Sequence, residues 1–309
     1  MVPSADGILA LDKPAGISSA RALDRVKRAL RVRKAGHAGT LDPFAVGLLI
    51  CCVGSATRLA RFFLHGDKRY EAVLRLGVDT DTQDATGTVV ARHPVPDLPA
   101  AALEALFGRF EGEILQAPPA YSALKHDGVP LYRLARAGRP VQKPPRPVRI
   151  HRLRIRSVRL PEIRFEVACS GGTYVRTLCA DIGREMGCGG HLQWLRRTFA
   201  GGFDIAESVP LEALEASDAP ETFLVRPADA LRGMSEIRVE AAAEDRIRHG
   251  QPLSRRREEA RGYSWPVPPG GGGEGRYLKA VAGRGRLLAV VRETPGDETF
   301  SYCCVFPEA

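Results

Sequence analysis

No Gly-Lys dipeptide occurs anywhere in the chain and no Gly-x-Gly-x-x-Gly run follows a strand, which excludes a Walker loop and a dinucleotide fingerprint. The seven histidines are scattered without an HxxxH pair, and the seven cysteines contain no CxxC. Cysteine falls as two adjacent pairs, Cys51-Cys52 and Cys303-Cys304, with Cys169, Cys179 and Cys188 as singles. That odd count fits neither a disulfide framework nor a zinc ribbon and points to core thiols in a reducing compartment. The run "DTDTQDATG" has Asp84 and Val90 where a calcium loop needs Gly and Glu, so it reads as a solvated turn. The longest apolar run, "VGLLICCVG", is too short to span a bilayer. The opening "MVPSADGILALDKPAG" lacks the charged and apolar regions of a signal peptide. A cytoplasmic protein with no membrane partner is expected.

What remains is a chain of 309 residues, 44% apolar, long enough to bury a sizeable core in more than one unit. Its 45 Lys and Arg outnumber 36 Asp and Glu, for a net charge of +9. That sign favours a polyanionic partner, most often nucleic acid. "GILALDKPAGISS" predicts a short strand, a Pro-Gly turn and a helix capped by Ser18 or Ser19, with Leu23, Val26 and Leu30 inward and Arg21, Arg25 and Arg28 opposite. "RYEAVLRLG" alternates like a half-buried strand, and "AALEALFGRF" has helical spacing. Residues 117–147, rich in Pro, Gly and basic side chains, form a long excursion. "RIHRLRIRSVRL" predicts a strand with Leu153 and Ile155 on one face and Arg152, Arg154 and Arg156 on the other. "GGTYVRTLCADIGREMG" predicts a turn and then a helix with Val175, Leu178, Ile182 and Met186 inward, and "GGHLQWLRRT" a second helix. A soft boundary falls at 232–236, and "VPPGGGGEG" reads as a flexible loop. Strands and helices mix without a βαβ rhythm, which argues for α+β.

The stretch "GHAGTLDPFAVG", Gly36 to Gly47, carries a single carboxylate, Asp42. Taken alone, Asp-Pro among glycines is a turn. Three stretches together change that reading. "LDKPAGISS", "GHAGTLDPFAVGLL" and "SGGTYVRTL" resemble the TruB family of tRNA pseudouridine-55 synthases, with "DKRYEA", "TDTQDATG", "PPAYSALKHDGVPLYRLARAG" and "GCGGHLQWLRRT" in the same order. The resemblance covers roughly residues 7 to 200. Ala38 and Val46 stand where the family more often has Thr.

The resemblance implies a mixed, mainly antiparallel sheet of the pseudouridine synthase fold with flanking helices. It divides the chain into a catalytic domain at 1–234, including the excursion at 117–147, and a small PUA-like β module at 235–309. The implied activity is isomerisation of uridine 55 in the TΨC loop of tRNA, on a base extruded from its stack. No cofactor or metal is implied, because the reaction neither oxidises nor adds a group. Asp42 is the implied nucleophile, Arg176 its cationic partner, and Tyr70 a catalytic residue whose ring stacks on the flipped base and which is a candidate to shuttle a proton. His37, Tyr174, Leu195 and Lys13 are implied substrate-binding or loop-supporting residues. The cationic strand and the Arg-bearing helix are expected to meet phosphate, and the protein to act as a monomer without a protein partner. Two other readings stay open: a catalytic subunit directed by a guide RNA, and an RNA-binding or RNA-folding module with vestigial residues.

Overall fold

The computed structural model describes residues 5–254, 276–294 and 298–306. The Gly-rich run from Gly270 to Gly273, read above as a flexible loop, lies outside the described residues. A ten-stranded sheet organises the chain up to residue 210. Its long path runs Val209–Pro210, Gly7–Lys13, Val46–Val53, Gly190–Ala200, Lys68–Leu76, Glu162–Cys169, Arg146–Arg159 and Gly112–Gln116. Pairing along that path is antiparallel except at two places, Gly7–Lys13 with Val209–Pro210 and Gly190–Ala200 with Val46–Val53. This is the mixed, mainly antiparallel α+β sheet expected.

Alternation sorts the two faces. Leu9, Leu11, Leu49 and Cys51 enter one core, under the helices Ser19–Ala29 and Val175–Glu185, whereas Ile8, Ala10, Leu48 and Ile50 enter a second. Ser18 caps the first helix by accepting the Arg21 N–H, an arrangement worth about 1 kcal/mol. Ala22, Leu23 and Val26 are its buried face. In the second helix Val175, Leu178 and Ile182 point inward, and Gly187 follows the end with φ of +76°, a left-handed conformation that suits glycine.

"GGHLQWLRRT" is not a helix but the strand Gly190–Ala200. The misreading has a physical origin. A register shift between Leu192 and Trp194 inserts one extra residue, so Leu192 and Leu195 both face the core three positions apart. A β-bulge thereby imitates helical spacing. Gly47 is fixed by the same strand: its φ is +97°, and a Cβ there would lie 2.4 Å from the carbonyl oxygen of Arg197.

Beyond residue 234 a five-stranded sheet, ordered Ser235–Arg238, Arg276–Val281, Leu287–Glu293, Thr299–Val305 and Leu253–Ser254, packs with the helix Ala241–Arg248 and fits a PUA-like module. It has its own core around Ile237, Ile247 and Leu288. It also shares the second core of the main sheet, to which it contributes Val281, Leu287, Val290 and Phe306. Among the described residues no helix is long and apolar enough to cross a membrane.

Candidate active site

The Asp42 loop is held by the Lys13-Pro-Ala-Gly16 turn and by Ser19 at the start of the helix that follows it. Ser19 Oγ donates to the Leu41 carbonyl at 2.9 Å and accepts the Leu41 N–H at 2.8 Å. Gly16 N–H donates to the Pro43 carbonyl at 2.8 Å. Lys13 is fully buried and donates to the carbonyls of Pro14 at 2.8 Å and Ile17 at 2.9 Å, which fixes the turn itself. Burial lowers its pKa to about 8, against the pull of Asp42. The loop is therefore a rigid mount for one carboxylate.

Asp42 is 35% exposed and its Oδ2 lies 3.0 Å from Nε of Arg176, which is 5% exposed. All three guanidinium nitrogens are engaged. Nη1 donates to the Thr82 carbonyl at 3.0 Å and to Asp84 Oδ2 at 3.4 Å, and Nη2 to the Tyr121 carbonyl at 2.7 Å. One cation thus serves two carboxylates. Burial pushes the Asp42 carboxyl above its ordinary range; Arg176 pulls it back, Asp84 adds to the rise and Lys13 opposes it.

Asp84 is the residue the sequence misplaced. It is 3% exposed rather than solvated, accepting from Thr82 Oγ1 at 2.9 Å, the Thr86 N–H at 2.9 Å and Thr86 Oγ1 at 2.6 Å. The only signal was the Thr-x-Asp-x-Thr spacing, which also suits an exposed turn.

These groups border a cavity of about 650 Å³, within the range of small-ligand sites. Asp42, Tyr70, Tyr174, Arg176 and Leu195 all line it. So do Ser122, Ala123 and Leu124 of the Pro-rich excursion. Tyr70 is buried, and burial pushes its phenol up to about 12, against the nearby Arg197. Tyr174 precedes the helix Val175–Glu185, and Gln116 clamps its backbone by accepting its N–H at 2.7 Å and donating to its carbonyl at 3.0 Å. Lys13 and His37 do not line the cavity. His37 pairs in register with Cys51, and its buried Nδ1 has no hydrogen-bond partner among the described residues. Its imidazole pKa is lowered by burial and by Arg197.

Three cavity cations escaped sequence reasoning. Arg197 is 1% exposed, with Nε donating to the Leu48 carbonyl at 2.6 Å and Nη2 to the Gly39 carbonyl at 3.1 Å. Lys68 is buried and donates to the carbonyls of Leu64 at 2.9 Å and Gly66 at 2.7 Å. Arg146 stacks over the Tyr174 ring at 5.6 Å and donates to the Gly172 carbonyl at 2.8 Å.

The strand expected to meet phosphate turns its arginines away from the cavity. Leu153 pairs with Val167 and Val167 with Tyr70, on the cavity side. Arg154 pairs with Glu166 and Glu166 with Glu71, which puts the alternating Arg side chains on the opposite face. Arg156 is ion-paired with Glu166 there. On the Arg-bearing helix, Arg25 is already committed to Glu215. Among the described residues no cluster of three or more His, Cys, Asp or Glu is placed to hold a metal.

Comparison with known proteins gives the family. The family description "TruB family pseudouridylate synthase (N terminal domain)" matches residues 27–175, and "tRNA pseudouridylate synthase B C-terminal domain" matches residues 176–232. A tRNA pseudouridine synthase B from Burkholderia pseudomallei is 46% identical over 94% of this chain and 94% of its own length. One from Bordetella avium is 51% identical over 71% of this chain and 91% of its own. Among solved structures, a chain of a Cbf5–Nop10–Gar1 complex superposes with a TM-score of 0.72 at 23% identity, over 97% of this chain and 84% of that one, a likeness of fold. Fold, cavity and sequence similarity over nearly the whole chain lead to one assignment: this protein belongs to the TruB family of pseudouridylate synthases, which are isomerases.

Proposed function

We propose that this protein converts uridine 55 in the TΨC stem-loop of tRNA to pseudouridine, with Asp42 as the nucleophile. The observation that carries the reading is the Asp42 carboxylate held 3.0 Å from Arg176 at the wall of a cavity that Tyr70 also lines. The isomerisation breaks the N1–C1′ bond, forms a C5–C1′ bond and moves a proton from C5 to N1, so atoms balance without a co-reactant. It needs an ionised carboxylate at a carbon, and Arg176 supplies the charge that keeps Asp42 ionised against burial. Either attack on the sugar or support of a glycal route uses the same oxygen.

A uridine in a structured loop is stacked, so it must leave the stack to reach this cavity. Tyr70 offers the extruded base an aromatic face, and Leu195 and Tyr174 offer it apolar walls. Arg146, over Tyr174 at the cavity, is placed for a phosphate oxygen. The segment Ser122–Leu124 would close over the loop. The protein acts as a monomer in the cytoplasm. Nucleotide analysis of a tRNA transcript after incubation with the purified protein alone tests the reading. Pseudouridine at position 55 alone is expected; no product without a guide RNA would overturn it.

A further inference from the structure

The helix Val175–Glu185, which carries Arg176, begins without a side-chain cap of its own. Helices favour Ser, Thr, Asp or Asn at that place, as Ser18 provides for the first helix. Here the place belongs to Tyr174, which lines the cavity and has no short polar side chain to fold back on the helix start. Thr177, three positions on, turns its hydroxyl to Gln83 Oε1 at 3.0 Å rather than reaching back to Tyr174.

The missing part of the cap comes from 58 residues earlier in the chain. Gln116 Oε1 accepts the Tyr174 N–H at 2.7 Å, and its Nε2 donates to the Tyr174 carbonyl at 3.0 Å. Gln116 is 1% exposed and does not line the cavity. It ends the strand Gly112–Gln116, and its direct cross-strand partner Arg146 begins the strand Arg146–Arg159. Arg146 holds the same segment through the Gly172 carbonyl at 2.8 Å and over the Tyr174 ring. The strands that lead into and out of the Pro-rich excursion thus both grip Tyr174 at their roots.

We propose that Gln116 is a positioning residue: it fixes the Tyr174 backbone, and with it the ring that forms one wall for the extruded uridine. The first N–H groups of a helix have no partner within it, so an uncapped start is free to fray. Holding both the N–H and the carbonyl of one residue removes that freedom and delivers its ring to one place. The uridine has to be held with C1′ against Asp42, and a misplacement of about 1 Å costs on the order of 100-fold in rate. Gln116 does not border the cavity, so it acts through Tyr174. This rests on the reading that the flipped uridine occupies this cavity with Asp42 as nucleophile.

A double-mutant cycle tests it, with single-turnover pseudouridine formation at saturating protein measured beside tRNA affinity for wild type, Gln116→Met, Tyr174→Ala and the double variant. Gln116→Met keeps the length of the side chain and loses both hydrogen bonds. Tyr174→Ala keeps the backbone that Gln116 holds and loses the ring. Each single change is expected to slow the bound reaction about tenfold or more, with the affinity of Gln116→Met within about threefold of wild type. The double variant should be no slower than Tyr174→Ala within about threefold. Penalties that multiply overturn the proposal, as does a Gln116→Met protein that melts earlier but reacts like wild type once bound. Gln116→Glu gives a second, nearly isosteric variant. A neutral Glu offers one acceptor and one donor, as the amide does, whereas an ionised one has no donor for the Tyr174 carbonyl. Burial favours the neutral form, so its rate relative to wild type should approach one as pH falls to about 6. A ratio still depressed there overturns the proposal. Asp42→Asn separates the two readings. Activity surviving in it refutes the cavity as the reaction site, whereas an inactive Asp42→Asn beside a Gln116→Met that reacts like wild type refutes only the positioning role.

Discussion

Replacing Asp42 by Asn keeps the shape and hydrogen-bonding capacity of the side chain but removes its charge and its nucleophilic oxygen. The structure separates the effect on folding from the effect on chemistry. Arg176 is not orphaned, because Asp84 at 3.4 Å and the carbonyls of Thr82 and Tyr121 still accept from it. The folded-state pKa of Asp42 is raised, so at neutral pH its charge is less favoured in the folded protein than in the unfolded chain. Removing that charge should therefore stabilise slightly. With 35% of the side chain exposed the gain is screened and stays under about 1 kcal/mol, an upward Tm shift of no more than about 3 °C. Binding should survive, because phosphate contacts and stacking dominate RNA affinity. Chemistry should not: loss of a nucleophile costs on the order of 10⁴-fold or more. The assay is single-turnover pseudouridine formation on a tRNA transcript, with a binding titration and a thermal melt on the same preparation. A folded Asp42→Asn protein reacting within about tenfold of wild type would refute the nucleophile assignment.

The raised Asp42 pKa places the acid limb of the single-turnover pH profile above the range of an ordinary Asp, and the rate falls as pH drops through it. Arg176→Gln should move that limb to still higher pH, and an unmoved limb would deny Arg176 its electrostatic role. Arg146→Ala should weaken tRNA binding and flatten its salt dependence by about one phosphate contact, while the triple Ala variant of Arg152, Arg154 and Arg156, on the far face, should leave the slope near wild type in a salt titration of affinity. Gly47→Ala forces a Cβ to 2.4 Å from the Arg197 carbonyl oxygen at a left-handed φ, and urea unfolding should show a loss of at least about 2 kcal/mol. Removing residues 236–309 strips Val281, Leu287, Val290 and Phe306 from the second core, so the truncated protein should lose on the order of 3 kcal/mol or more; an unchanged denaturation midpoint would show that the modules are energetically independent.

The family of this protein was legible because short stretches of sequence carry it, and the residues proposed for its reaction are few. Asp42, Arg176 and Tyr70 sit in contiguous motifs, and each motif also states its local structure: a Pro-Gly turn, a glycine loop, a turn running into a helix. Alternation marked the strand Lys68–Leu76, a short apolar run before a Pro-Gly turn marked Gly7–Lys13, and the Ser18 cap marked the first helix. Tertiary structure decided what depends on faces and on partners distant in sequence. Arg152, Arg154 and Arg156 look like an RNA-facing row in one dimension, but pairing to Glu166 and Glu71 turns them away from the cavity. The bulge after Leu192 turns a helix-like spacing into a strand, and that strand delivers Leu195 and Arg197 to the site. Asp84 looked solvated until Arg176, 92 residues away in the chain, was folded against it. Local sequence carries local geometry, because turns, caps and alternation act between near neighbours. A buried charge is defined by what surrounds it, and for Arg197, Asp84 and Asp42 the surroundings include groups far away in the sequence.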